Sequence, residues 1–148
     1  MKNSILIFCA LGLFFPGTGF NCFYLKGLKS FWAWIQFIAL LGGIAGWGLL
    51  KAAHFHSAPG WVLVTFGFIA IEASWLSTIA FGLRPDDKWD AQFNPGINET
   101  KRTRSGWPVV LTVIFSLVLG AGVMMTFLAV SFEQFFISQI YEAKKLSQ

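Results

Sequence analysis

The sequence predicts an all-α integral membrane protein: four transmembrane helices followed by an amphipathic C-terminal extension. Three observations lead there. Hydrophobic residues make up 55% of the 148-residue chain and charged residues only 12%, with a mean hydropathy of +0.63. A soluble domain carries about 25% charged residues, so this chain has too little polar surface to cover a globule in water. Four apolar runs, 4–25, 31–50, 61–83 and 107–130, each approach the roughly 20 residues that a spanning helix needs. They consume most of the chain, which therefore reads as a single membrane domain over 1–148, without a separate soluble part.

The first run opens with Lys2 and a short apolar stretch, as a signal peptide would. Its apolar character continues through Phe20-Asn21-Cys22-Phe23-Tyr24-Leu25 with no A-x-A-like site, so it is expected to stay in place as a helix. Pro16-Gly17-Thr18-Gly19 interrupts it, because proline removes a backbone donor and glycine is permissive; a kink or break is expected there. Cys9 and Cys22 would lie roughly 20 Å apart along one helix, too far for a disulfide, and read as small apolar side chains. Gly19-Phe20-Asn21 lacks the small-residue pattern that precedes a lipidated cysteine.

A basic link, Lys26 to Lys29, leads to the second run. Trp32, Trp34 and Trp47 mark its two ends, as in the aromatic belts of membrane helices. Gly42 and Gly46 form a small-xxx-small pair that lets another helix approach closely. The short loop 52–60 carries His54 and His56. Two histidines do not make a metal site, no Cys, Asp or Glu nearby completes one, and headgroup-facing histidines are the plainer reading.

The third run holds Glu72 at its centre. A lone carboxylate at mid-bilayer costs roughly 2.5–3.5 kcal/mol on insertion scales, so intramembrane carboxyls mark function by default. On a wheel of 100° per residue, Gly67, Ala70, Ser74 and Ser77 form a narrow small-residue stripe suited to packing on another helix. Glu72 falls on the opposite side, and is expected to meet a different helix, a water-filled cavity or a second protein. No Lys, Arg or His lies inside any run, so it is expected either to be protonated and donating a hydrogen bond, or to pair with a partner's group. Ser116, Thr112 and Gln36 are its candidate hydrogen-bond partners within the chain.

The segment 84–106 mixes charges with Pro85, Pro95 and Gly96, and reads as a solvated surface loop; Asp86, Asp87 and Asp90 lack the pocket that acid–base chemistry would need. Trp107-Pro108 suits the start of the fourth helix. Over 131–148, Phe132, Phe135, Phe136 and Ile140 recur at helical spacing among Glu133, Gln134, Glu142 and Lys144, an amphipathic tail for the membrane surface or for docking on another protein.

Four crossings put both termini on one side. The loops on the other side then carry Lys26, Lys29, Arg84, Lys88, Lys101, Arg102 and Arg104, against Lys2, Lys51, Lys144 and Lys145. Positive residues concentrate inside, so both termini are expected in the periplasm of a bacterial cytoplasmic membrane. The net charge of +4 belongs to these flanks rather than to a nucleic-acid surface. The sequon Asn98-Glu99-Thr100 then lies on the cytoplasmic side and reads as coincidental.

The stretch Phe14-Phe15-Pro16-Gly17-Thr18-Gly19-Phe20-Asn21-Cys22-Phe23-Tyr24-Leu25-Lys26-Gly27 resembles the TM-two domain family of paired transmembrane helices joined by a tight turn. Gly17, Gly19 and Phe23-Tyr24-Leu25 match its glycine-rich stretch and Phe-Tyr-Leu. The glycines of Gly42–Gly48 suit its second helix. The likeness covers residues 5–50 and departs where Asn21-Cys22 replaces the polar-Arg pair and Lys26 precedes Gly27. It implies a membrane add-on rather than a particular chemistry.

No Ser-His-Asp set, phosphate-cradling loop or HExxH motif is present, so the sequence points to a non-enzyme without metal or cofactor. The expectation is an accessory subunit of a larger membrane complex, surrounded by lipid and other integral membrane subunits. It would pack through the small-residue faces and Glu72. The alternatives are a small oligomeric transporter or proton-translocating component using Glu72, and an immunity protein that meets a pore-forming toxin in the bilayer.

Overall fold

The computed structural model describes residues 2–147; Met1 and Gln148, the last residue of the expected tail, lie outside the described residues. The described residues form six α-helices in order: α1 Ile5–Phe14, α2 Phe20–Lys26, α3 Phe31–Ala52, α4 Ala58–Gly82, α5 Asp86–Phe93 and α6 Trp107–Leu146. No strand occurs among the described residues. Among the described residues only α3, α4 and α6, of 22, 25 and 40 residues, are long and apolar enough to cross a membrane.

The fourth expected span, 4–25, is corrected by the structure. Residues 4–25 form two short helices folded back on each other, and Pro16-Gly17-Thr18-Gly19 is the turn between them. The cause is local. Gly17 and Gly19 take left-handed φ values of 78° and 72°, which only glycine adopts without strain. The Thr18 hydroxyl donates to the Phe15 carbonyl at 2.7 Å and accepts from the Phe20 amide at 3.4 Å. At the open end of the hairpin the Ser4 amide donates to the Tyr24 hydroxyl at 3.0 Å, so the start of α1 and the end of α2 share one level. The turn penetrates to Ile71, near the middle of α4: a Cβ on Gly17 would stand 3.2 Å from Ile71 Cγ1.

α3 and α4 make an antiparallel pair. Ser30 and Ser57 cap their N-termini by accepting from the amides of Ala33 and Gly60. The pair crosses where backbones touch, with a Cβ on Gly43 only 2.6 Å from Gly67 Cα. α6 packs along α4 and α1 through Val109, Val113, Ser116 and Gly120, and continues unbroken beyond residue 130 as one helix of about 60 Å.

The expected surface loop 84–106 is also corrected, because it contains α5 and closes one end of the bundle. Trp89 is fully buried with Ile5, Phe8, Cys9 and Val109. Its indole donates to the Asn3 carbonyl at 2.9 Å, while the Asn3 amide donates to Asn94 Oδ1 at 2.7 Å. Residues 2–5, the link 26–30 and the segment 84–106 therefore sit at one end. The loop 53–57 and the C-terminal part of α6 sit at the other.

Candidate functional site

Glu72 projects from the middle of α4 into the seam with α6 and is 7% exposed. Of its three expected surroundings the structure has the first, another helix of the same chain. Gly120 makes room for it, since a Cβ there would stand 3.2 Å from Glu72 Oε2. Aromatic side chains close the seam on both sides. Phe68, one turn before Glu72 on α4, stacks on Phe127 with ring centroids 4.1 Å apart. Trp75 lies against Gly120 and donates to the Leu13 carbonyl at the hairpin, at 3.4 Å.

None of the three expected partners bonds to Glu72. Thr112 donates to the carbonyl of Val109, three residues back in its own helix. Ser116 faces the same seam, one turn from Gly120, and its hydroxyl is buried without a partner; so are Glu72 Oε1 and Gln36 Oε1. Among the described residues the ion pair is Arg102–Glu99, in the exposed segment at one end of the bundle, and none of their cations pairs with Glu72. Two unpaired polar atoms on facing helices in an apolar seam are costly, about 1–3 kcal/mol each.

The stripe Gly67, Ala70, Ser74 and Ser77 meets two neighbours. Gly67 touches Gly43 of α3, and Ala70 is buried. Ser74 donates to the Gly12 carbonyl of α1 at 3.4 Å, and Ser77 accepts from Asn21 of α2 at 2.8 Å. In α3, Gly46 lies against Val64 N and Gly60 O, whereas Gly42 touches only the side chain of Leu63. Gly43 and Gly46 both approach α4 closely, a Cβ on each meeting its nearest atom at 2.6 Å, whereas Gly42 does not.

Several organising residues went unmarked in the sequence. Asn21 is 1% exposed and joins hairpin to α4; its only signal was a polar residue inside an apolar run. Asp90 accepts from the Thr103 amide at 2.6 Å, the Thr103 hydroxyl at 2.5 Å and Asn94 Nδ2 at 2.8 Å. Burial alone would raise the Asp90 carboxyl, but these three bonds and the charge of Lys2 outweigh it and hold it below the usual carboxylate range. Asp86 similarly accepts from the Ser105 amide and hydroxyl, while Asp87 stays exposed. Asp86 and Asp90 are thus clasps for the end of the bundle.

His54 and His56 are exposed at the opposite end, and no group of three His, Cys, Asp or Glu side chains there or elsewhere among the described residues is placed to hold a metal. The tail residues Phe132, Phe135, Phe136 and Ile140 are all exposed, by 60%, 56%, 62% and 57%. On a helical wheel, Phe132, Phe136 and Ile140 lie roughly 130–170° from the buried line of Val109, Val113, Ser116 and Gly120, turned away from the rest of the chain. No family model, curated protein or solved structure matches this chain, so its function is read from its own residues.

Proposed function

We propose that the protein is a non-catalytic subunit of a larger bacterial membrane complex, with α3, α4 and α6 crossing the bilayer and the α1–α2 hairpin entering it halfway. One observation carries the docking role. A hydrocarbon core is about 30 Å thick, half the length of α6. Because α6 runs unbroken from Trp107 to Leu146, its tail cannot turn to lie on the membrane surface; it projects past the bilayer. Phe136, Ile140 and their outward neighbours then carry apolar surface into water unless another subunit covers it.

The hairpin changes the expected topology. Lys2 now shares an end with Lys26, Lys29, Arg84, Lys88, Lys101, Arg102 and Arg104, eight basic residues against Lys51, Lys144 and Lys145 at the other. The positive-inside rule then favours the N-terminus in the cytoplasm and the C-terminus in the periplasm.

The test is purification of the full chain from its native membrane in gentle detergent, followed by mass spectrometry. Stoichiometric membrane proteins that are lost on Phe132→Ser/Phe136→Ser substitution are the expected result. Recovery of the chain without other subunits would sink the reading.

A second reading is favoured by the unpaired Glu72 and Ser116: a proton-carrying component in which Glu72 is the titrating group. It predicts proton flux in liposomes that Glu72→Gln abolishes. Relays normally string several ionisable groups together, and the seam offers only one, which leaves the subunit reading ahead.

A further inference from the structure

Opposite the side of α6 that packs on α4, a second line runs the length of the helix. Stepping alternately by four and three residues, it joins Leu111 to Leu146 through Phe115, Val118, Met125, Phe132 and Phe136, with Gly122 and Ala129 between them. Every position on it is exposed, and a Cβ on Gly122 would meet nothing within 4 Å. Inside a bilayer a helix is apolar all round. This line stays apolar past the bilayer, where Glu133, Ser138, Glu142, Lys144 and Lys145 appear beside it, and Gln139 is its one polar residue. The steps average 3.5 residues, the heptad repeat by which two helices wind round each other with a left-handed supercoil.

The line also changes character with its solvent. Association within lipid depends on close packing, which small residues permit. By the rise of 1.5 Å per residue from Trp107, Gly122 lies inside the hydrocarbon core and Ala129 at its far edge. Association in water draws on apolar area, and Phe132, Phe135, Phe136 and Ile140 follow where the helix emerges.

We infer that this face seats a second copy of the chain, α6 against α6, parallel and in register. The line is continuous across the edge of the bilayer, so its occupant must itself be a helix that leaves the membrane beside α6. A second copy in the same membrane supplies that helix at the same height and in the same direction. Like residues then meet on a two-fold axis along the membrane normal. Gln139 identifies the occupant most sharply. Its amide carries both donors and an acceptor, so it satisfies its own counterpart, and one polar layer in such a line fixes a parallel register. Phe135 of each copy meets Ile140 of the other across the flank. Phe115, Phe132, Phe135 and Phe136 are each more than half exposed. They offer about 400 Å² per chain, since a whole aromatic side chain buries roughly 150–250 Å². The aliphatic residues of the face bring this to the roughly 800 Å² per partner of a standard interface. The inference rests on the reading of α6 as a membrane-crossing helix with a projecting tail, and names what covers that tail.

The experiment uses the full chain with Cys9→Ser and Cys22→Ser and one new cysteine, oxidised in native membranes with copper phenanthroline. Ala129→Cys and Ala143→Cys stand on the line; Gln134→Cys and Tyr141→Cys stand on the side of the bundle. Disulfide-linked pairs are expected at the first two positions and not at the second two, because a disulfide needs Cα atoms within about 7 Å. Equal yields at all four positions, or none at Ala129 and Ala143, overturns the proposal. Gly122→Leu, which meets nothing in the chain's own fold, should weaken the pair in detergent about tenfold, the equivalent of about 1.4 kcal/mol of overpacking. A pair indifferent to Gly122→Leu lies on another face and overturns it too. Mass spectrometry of the same membranes, solubilised gently, separates this inference from the subunit reading. Other membrane proteins without a cross-linked pair overturn the second copy alone, and a cross-linked pair without other proteins overturns the larger complex alone. Absence of both overturns both.

Discussion

Glu72 and Asp90 are both buried carboxyls, and their surroundings assign them opposite tasks. Asp90 receives three hydrogen bonds and the field of Lys2. Its folded-state carboxyl is held low, so it stabilises the fold fully above the unfolded value near 3.9 and loses that contribution as pH falls through the lower folded value. Asp90→Asn should therefore destabilise the chain at neutral pH by about 1–3 kcal/mol, the cost of stranding the Thr103 donors. The difference from the unaltered chain should shrink on acidification, as read by thermal unfolding in detergent at pH 7 and pH 3. A difference that stays constant with pH would show that the charge is not what binds the clasp. Glu72, by contrast, has an oxygen with no partner at all. Replacing it with leucine removes that burden, so Glu72→Leu should stabilise the isolated chain by about 1–3 kcal/mol, while Glu72→Gln should change it by no more than about 1 kcal/mol. A stabilising Glu72→Leu that impairs function in the cell would mean the carboxyl is kept for function at a cost to the fold. Marked destabilisation would instead reveal a bonding partner in the seam.

The elements differ in how far the sequence disclosed them. Helices α3, α4 and α6 announce themselves because each carries a mostly apolar run of about twenty residues, the length a spanning helix needs, and Pro59 and Pro108 mark first turns in α4 and α6. The break at Pro16-Gly17-Thr18-Gly19 was visible as well, but its outcome was not. A kinked helix and a reversed hairpin have the same composition, and the choice is made by tertiary bonds, Ser4 to Tyr24 and Asn21 to Ser77. The site was legible in the same uneven way. Glu72 stood out as the only charge in its run, whereas Gly120, which makes room for it, is one of several small residues in α6 and carries no mark of its own. Of the Gly42 and Gly46 pair, Gly46 lies tight against α4 while Gly43 stands in for Gly42; within Gly42-Gly43, periodicity alone cannot choose which glycine faces α4. The crossing at Gly43 is a contact between backbones. Gly43→Leu must push apart two backbones, not merely crowd a side chain, and should cost at least the roughly 1–3 kcal/mol of ordinary overpacking. Gly48→Leu, where a Cβ meets nothing within 4 Å, is the matched control. Equal thermal midpoints for the two variants would mean that α3 and α4 do not cross at Gly43.

At the scale of the whole molecule the hairpin matters through parity. A chain that crosses a bilayer four times returns its C-terminus to the side where it began; three crossings and a re-entrant hairpin leave the termini on opposite sides. On the three-crossing reading proposed above, the hydrogen bonds of Asn3 to Phe93 and Asn94, and of Lys2 to Lys101, are the physical basis for the odd count, because they hold the N-terminus against the segment that joins α4 to α6. The charge distribution agrees, gathering eight of the eleven basic residues at that end. Alkaline phosphatase, which is active only after export, should therefore be active when fused after Leu146 and inactive when fused within 95–98. A cysteine placed at Asn3 should resist a membrane-impermeant thiol reagent in intact cells, in a background where Cys9 and Cys22 are replaced by serine. Labelling at both Asn3 and the tail would restore the fourth crossing, and the Ser4–Tyr24 bond could not then exist in the membrane. Labelling at Asn3 with an inactive C-terminal fusion would retain three crossings in the inverted sense. In that case the bonds would be right, and the count of positive charges would have misled the orientation.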